Sequence, residues 1–110
     1  MVESRWQLEL PEVVAHTAYY AMYHAAVALF AKRDLPLPKT HAGLISRVGE
    51  IFRDVKPNGG EQVGRLRRAF DRRLIGDYDA VDTLTVEDAR AARDEAVAFI
   101  AFCERLIDTE

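Results

Sequence analysis

Cysteine is almost absent from this 110-residue chain, which contains only Cys103. A single thiol cannot form an internal disulfide, so the sequence favours a reducing compartment. Cys103 lies in an apolar run near the C-terminus, where we expect it to act as a small buried side chain. Residues 1–6 lack the apolar core of a signal peptide, and we therefore expect a cytoplasmic protein.

Formal charge is missing from residues 13–31, a stretch just long enough to raise the question of a membrane span. His16, Thr17 and His24 interrupt this stretch, and alanine supplies much of the remainder. Such a segment is too weakly apolar to insert well into a bilayer. We therefore expect a helix buried within the protein and no membrane partner.

Several chemical signatures are also missing. The chain has no glycine-rich phosphate loop, no Walker-type lysine and no nucleophile elbow, which argues against an enzyme that handles nucleoside triphosphates. His16, His24 and His41 do not have the spacing of a metal site, so we expect no metal and no cofactor. Because the net charge is −3, any contact with nucleic acid must come from a local basic patch.

Proline, glycine and capping residues divide the chain into helices, with no strand pattern and no internal repeat. Pro11 suits a first helical turn, Thr40 is a candidate N-cap, and Thr85 with Asp88 resembles a capping box. Gly76 is predicted to end the third helix, and Asp-Tyr-Asp at 77–79 to begin a loop. The four predicted helices span residues 11–32, 41–55, 61–75 and 86–107, with connectors at 34–39 and 56–60.

Four helices joined by short connectors predict one all-α domain over residues 1–110, an antiparallel up-and-down bundle in which residues 1–10 are a short N-terminal stub. Hydrophobic residues make up 49% of the chain, which is hard to bury in four short helices alone. We therefore also predict a homodimer, with its contact along the first and third helices.

The first helix carries an unusual group of polar rings. Residues 17–24 read Thr-Ala-Tyr-Tyr-Ala-Met-Tyr-His, so three tyrosines and a histidine fall within eight residues. In a helix, Tyr20 and His24 share a face with Thr17, whereas Tyr19 and Tyr23 share the next face. Each buried hydroxyl or ring nitrogen needs a hydrogen-bond partner. We predict that the arginine-rich third helix and residues 77–79 supply those partners.

Three spaced motifs resemble those of small prokaryotic HEPN-domain proteins. Tyr-Tyr-Ala-Met-Tyr-His-Ala-Ala at 19–26 is similar to that group's Tyr-Tyr-Ala-x-Phe-His-Ala-Ala signature. Lys-Thr-His-Ala-Gly at 39–43 looks like its Thr-His-x-Gly helix start. Arg73 followed by Asp-Tyr-Asp at 77–79 looks like its Arg-x-x-x-Asp-Tyr-Asp element. The resemblance covers roughly residues 11–107, and three motifs in order are more specific than any one alone.

The resemblance implies an all-helical bundle, commonly a homodimer, that acts with a minimal nucleotidyltransferase as a toxin–antitoxin pair. Active HEPN toxins are metal-independent ribonucleases whose motif is an arginine, then four to six intervening residues, then a histidine. In this chain Tyr78 follows Arg73 at that spacing, and Thr17 stands where relatives often carry a further arginine. Two function classes therefore remain open: a ribonuclease, and a non-catalytic module that binds RNA, a nucleotide or a nucleotidyltransferase partner.

For catalysis the candidates are four residues with distinct roles. His24 would transfer protons, Arg73 would bind phosphate, Asp77 would orient the arginine, and Tyr78 would contact a base or a phosphate. Further candidates for binding are Tyr20, His41, Arg68 and Arg72.

Each candidate also has a structural alternative. For His24 the alternative is a buried imidazole bonded to Tyr20 or to an arginine of the third helix. The Arg72 and Arg73 pair is consistent with ion pairs to Asp77 or Asp79. The remaining alternatives are His41 packed on the connector before it, Tyr78 packed over the rim of the bundle, and Arg65, Arg68 and Arg72 forming a solvated face.

Overall fold

The computed structural model describes residues 11–78 and 84–109, which form four α-helices. They are α1 (Pro11–Lys32), α2 (His41–Phe52), α3 (Gly59–Tyr78) and α4 (Val86–Asp108). The described residues contain no strand, and the predicted all-α bundle is confirmed. The predicted stub at residues 1–10 lies outside this part of the chain. None of the described helices is long and apolar enough to cross a membrane.

Helix α1 is the centre of the bundle, because it packs against both α3 and α4, while α2 packs against α3. Its buried positions recur at helical spacing and meet aromatic residues from the other helices. Cys103 is fully buried in α4, as predicted, and burial raises the pKa of its thiol to about 12. The largest fully buried side chains include Tyr19, Met22, Leu29, Phe30, Leu44, Ile45, Phe52, Leu66 and Phe99.

The starts of α1, α2 and α4 lie where the local sequence predicts them. Thr40 caps α2, since its hydroxyl accepts a hydrogen bond from the Gly43 amide at 2.9 Å. Thr85 and Asp88 form the predicted capping box of α4. The Asp88 amide donates to the Thr85 hydroxyl at 3.1 Å, and the Thr85 amide donates to the Asp88 carboxylate at 2.9 Å. These short-range bonds satisfy backbone donors that the first turn leaves open.

The C-terminal end of α1 has a hydrogen-bonded cap that leads into the connector to α2. Asp34 adopts a left-handed φ of 57°. Its amide donates to the Ala31 carbonyl at 3.1 Å, and the Leu35 amide donates to the Phe30 carbonyl at 2.9 Å. This is a Schellman-type end that reverses the chain direction. The predicted connector at 34–39 therefore begins with a hydrogen-bonded helix cap.

The corner between α2 and α3 differs from its prediction. Helix α2 ends at Phe52 instead of residue 55, and α3 begins at Gly59 instead of residue 61. Gly59 permits this because its backbone lies against α2: a Cβ at Gly59 would stand 1.9 Å from the Phe52 carbonyl oxygen. Only a residue without a side chain allows such an approach. The early start of α3 is therefore a consequence of tertiary contact, which local composition does not encode.

The predicted end of α3 at Gly76 is wrong. Helix α3 continues through Gly76 to Tyr78, so the backbone of Asp77 and Tyr78 is helical and does not begin a loop. A glycine inside a helix costs only about 1 kcal/mol relative to alanine, which the packing of a long helix can offset. The side chains of Asp77 and Tyr78, and the whole of Asp79, lie outside the described part of the structure.

Candidate functional site

The site begins with a hydrogen bond between α1 and α2. The hydroxyl of Tyr19, which is fully buried, lies 2.6 Å from Nδ1 of His41, the first residue of α2. Burial raises the pKa of Tyr19 to about 12. Burial, and then the charge of Arg73, lower the pKa of His41. The hydroxyl of Tyr19 can donate to Nδ1 of a neutral His41, and in that tautomer Nε2 carries the ring hydrogen.

Two further rings lie nearly parallel to the imidazole of His41. Tyr23 stacks on it with ring centroids 4.8 Å apart and planes inclined by 24°. Phe70 of α3 lies with its centroid at 6.2 Å and its plane inclined by only 16°. Near-parallel rings in this range attract each other. Because the stack fixes the ring plane and Tyr19 fixes its rotation, His41 is held in one orientation.

Arg73 reaches this cluster from α3. Its guanidinium carbon lies 5.7 Å from the centre of the Tyr19 ring and 5.3 Å from that of Tyr20. A guanidinium at this distance from a ring is attracted by its π-electrons, and its N–H groups lie in the guanidinium plane. The structure therefore brings together Tyr20, His41 and Arg73, three of the residues that the sequence singles out. We call these three, with Tyr19, Tyr23 and Phe70, the aromatic–arginine cluster.

His24 lies at the outer edge of the cluster. Its side chain is exposed, with its ring centroid 6.3 Å from that of Tyr20 and 5.4 Å from that of Tyr23. The alternative of a buried imidazole is wrong, because the face of α1 that carries His24 is not covered by α2, α3 or α4. An exposed imidazole is accessible to a ligand, whereas His41 has one nitrogen already bonded to Tyr19.

Arg68 and Arg72 point to the other side of α3. Both bind Glu95 of α4, at 2.9 Å and 2.6 Å, and Arg72 and Glu95 each expose only 17% of their side chains. Arg72 therefore pairs with Glu95, a partner that the sequence analysis does not name. Arg65 lies 3.9 Å from Glu61 on its own helix. Each of the three arginines at helical spacing on α3 therefore has an acidic partner, and Arg68 and Arg72 join α3 to α4.

Sequence reasoning missed half of the cluster. Tyr19, Tyr23 and Phe70 are not among the candidate site residues, although the four-residue spacing of Tyr19 and Tyr23 is a usable signal. No sequence signal identifies Phe70, whose contact with His41 depends on how α3 lies against α2. Among the described residues no group of three or more histidines, cysteines or carboxylates is arranged to hold a metal ion. The two remaining candidates, the side chains of Asp77 and Tyr78, lie outside the described residues.

A comparison of the sequence with known protein families identifies the family to which this all-α bundle belongs. The model of the HEPN domain matches residues 4–106, and the chain belongs to the HEPN domain family. The resemblance of its three motifs to that family is thereby confirmed.

Two curated relatives are similar to the chain. A UPF0332 protein of Archaeoglobus fulgidus is 37% identical over 78 residues, which cover 69% of this chain and 59% of the relative. A protein of Methanocaldococcus jannaschii named "Putative toxin MJ0605" is 36% identical over 85 residues, covering 76% of this chain and 60% of the relative. The chain thus spans about three fifths of the length of each. No solved structure matches it.

Proposed function

We propose that this HEPN-domain protein acts on RNA as the toxin-like member of a toxin–antitoxin system, with the aromatic–arginine cluster as its phosphate-binding site. The observation that carries the proposal is the position of Arg73, whose guanidinium lies over Tyr19 and Tyr20 in the cluster that holds His41. The relative named as a toxin supports the toxin-like role.

The chemistry of the cluster suits a phosphodiester. A guanidinium binds phosphate through paired N–H groups. The Nε2–H of a neutral His41 is a second donor, and its place in the first turn of α2 sets it beside backbone amides that attract anions. Rings beneath the guanidinium restrict its motion, so less conformational entropy is lost when phosphate binds.

Cleavage is favoured by the exposure of His24 beside this cluster. An imidazole can take the proton from a ribose 2′-hydroxyl, whose oxygen then attacks the adjacent phosphorus. The bond from phosphorus to the 5′-oxygen breaks, and that oxygen takes up a proton, leaving a cyclic phosphate and a 5′-hydroxyl. Arg73 would stabilise the charge that builds on the phosphate oxygens, and no metal takes part.

A non-catalytic role would use His41 as a hydrogen-bond donor. In the tautomer in which Tyr19 donates to Nδ1, the other ring nitrogen of His41 carries a hydrogen. In that state His41 binds and orients a phosphate, or a nucleotide, without acting as a base. The second candidate function is therefore a module that holds RNA, a nucleotide or a nucleotidyltransferase partner through the same cluster.

Incubation of the purified protein with labelled RNA in EDTA separates the two candidates. We expect cleavage that disappears in His24→Ala and persists in Val97→Ala, a change at an exposed residue of α4. Clean protein that binds RNA without cutting it would support the non-catalytic module instead. Protein that neither binds nor cuts RNA would contradict the RNA-directed function itself.

Arg73→Ala tests the phosphate contact directly. We expect RNA affinity to fall about tenfold or more, since a hydrogen bond to a charged group contributes about 1.5–3 kcal/mol. Arg67→Ala, which removes an exposed arginine of the same helix, should have a much smaller effect. Fluorescence anisotropy measures affinity, and thermal unfolding measures stability. A melting temperature lowered by several degrees with affinity unchanged would make Arg73 a structural residue.

We also propose a cytoplasmic protein that forms a homodimer and has a nucleotidyltransferase antitoxin as a partner. The support for the dimer is the last turn of α1, where Ala28 and Ala31 are exposed. The exposed residues of α3 include Arg67 and Asp71, so α1 supplies the apolar part of such a contact.

A further inference from the structure

A row of rings extends from the aromatic–arginine cluster along the surface of α1. His16, Tyr20 and His24 are four residues apart and therefore lie on one face of the helix. The ring centroid of Tyr20 lies 4.8 Å from that of His16 and 6.3 Å from that of His24. Both histidines are exposed, and Tyr20 is half-buried between them. We call these three residues the ring row.

The ring row and the guanidinium of Arg73 meet at Tyr20, which belongs to both. The guanidinium of Arg73 therefore lies beside the middle ring of a row whose two outer rings are exposed. Nucleobases stack on such surfaces whatever their sequence, because every base has a π-face. Paired bases inside a duplex are already stacked and do not present that face. The arrangement matches a strand whose bases are unpaired and whose backbone passes Arg73.

We propose that His16, Tyr20 and His24 form a base-stacking subsite for unpaired RNA bases, next to the phosphate site at Arg73. The inference rests on the proposed RNA-directed function and adds to it a contact with bases. The phosphate contacts give affinity for any strand, and the ring row adds affinity only when bases are present and unstacked. Recognition by stacking is tolerant of sequence, so the subsite selects unpaired over paired RNA.

Two probes of equal length and charge separate stacking from phosphate binding: an oligoadenylate, and a matched strand of abasic ribose phosphates. Anisotropy titrations at one salt concentration give both dissociation constants. We expect the abasic strand to bind about tenfold more weakly, because stacking contributes measurably for each base. We expect His24→Ala to weaken oligoadenylate binding about fivefold and to leave the abasic strand unchanged. His24→Phe, which keeps a ring without an imidazole, should restore most of the affinity.

Val97→Ala is the control, since it changes a 63% exposed residue of α4 without removing a ring, and should leave both affinities unchanged. Circular dichroism of each variant verifies that the helices are intact. Equal affinity for the two strands would overturn the stacking subsite while leaving the phosphate site in place. Equal loss of both strands in His24→Ala would also overturn it. Binding of neither strand by the wild-type protein would overturn the proposed function and the subsite together.

Discussion

At the scale of the residue, His41 is set apart by its surroundings. Its ring is nearly parallel to those of Tyr23 and Phe70, its Nδ1 is bonded to Tyr19, and it begins a helix. Burial lowers its pKa, and so does the nearby charge of Arg73. The positive end of the α2 dipole acts in the same direction. Each of these effects opposes protonation, so the folded protein keeps this imidazole neutral at neutral pH.

The lowered pKa of His41 makes stability depend on pH. In the unfolded chain His41 takes up a proton as the pH falls through 6.5, the ordinary pKa of a histidine side chain. In the folded protein it takes up that proton only at a lower pH. The unfolded state then binds more protons, so the free energy of unfolding decreases as the pH falls below about 6.5. We expect urea denaturation at pH 7.5 and 5.5 to show a smaller pH-dependent loss in His41→Gln than in the wild type. The same loss in both proteins would contradict the lowered pKa.

At the scale of the element, helix α3 is fixed on two sides. Arg72 and Arg68 bind Glu95 of α4 on one side, while Arg73 lies over the tyrosines of α1 on the other. Adjacent residues in a helix point about 100° apart, so Arg72 and Arg73 can meet different helices. The ion pairs with α4 therefore help to set the rotation of α3 that brings Arg73 to the cluster.

Glu95→Gln tests this contact. The change removes a charge that binds two arginines, one of them largely buried, and we expect it to reduce the free energy of unfolding by about 1–3 kcal/mol. Glu50→Gln is the control, because Glu50 binds Arg47 with 59% of its side chain exposed. It should change stability by no more than about 0.5 kcal/mol. Equal effects in urea denaturation would mean that the Glu95 contacts add nothing to stability.

The α2–α3 corner gives a second test at this scale. Gly59→Ala places a methyl group against the Phe52 carbonyl, and we expect a loss of about 3 kcal/mol or more. Gly60→Ala has nothing within 4 Å of the new Cβ, and we expect a gain of about 0.5–1 kcal/mol from helix propensity. Thermal unfolding of the two variants should therefore move in opposite directions. A tolerated alanine at 59 would mean that the two helices separate at the corner without cost.

The starts of α2 and α4 were predictable and the end of α3 was not, for a physical reason. Thr40 and Thr85 cap their helices through bonds to residues three positions away, so the signal is local. Gly76 is a local stop signal too, but α3 continues through it because contacts along the bundle outweigh a single glycine. Within the site, the meeting of Tyr20 with Arg73 follows from matching ring and guanidinium chemistry. His41 is bonded within the cluster and His24 is exposed. This difference depends on which face of α1 the start of α2 contacts, and sequence periodicity does not determine that face.

At the scale of the whole molecule, the last turn of α1 is the candidate contact for the proposed homodimer. Ala28 and Ala31 are exposed there, on the helix that is otherwise most buried. We expect sedimentation equilibrium at micromolar concentration to show a dimer, and Ala28→Glu to shift the protein to monomer by placing a charge in the contact. Val97→Glu, a change at a 63% exposed residue of α4, is the control and should remain dimeric. A wild-type protein that sediments only as a monomer would rule out the homodimer.

Arg72 and Arg73 are neighbours in α3 but contact different helices, which offers a way to detect a bound ligand. We expect a ligand that moves Arg73 away from the tyrosines to shift the adjacent backbone, and Arg72 with it. The carboxylate of Glu95, on the far side of that helix, would sense the shift through its 2.6 Å bond to Arg72. Isotope-labelled glutamate at position 95 thus offers a spectroscopic reporter of occupancy that never touches the ligand.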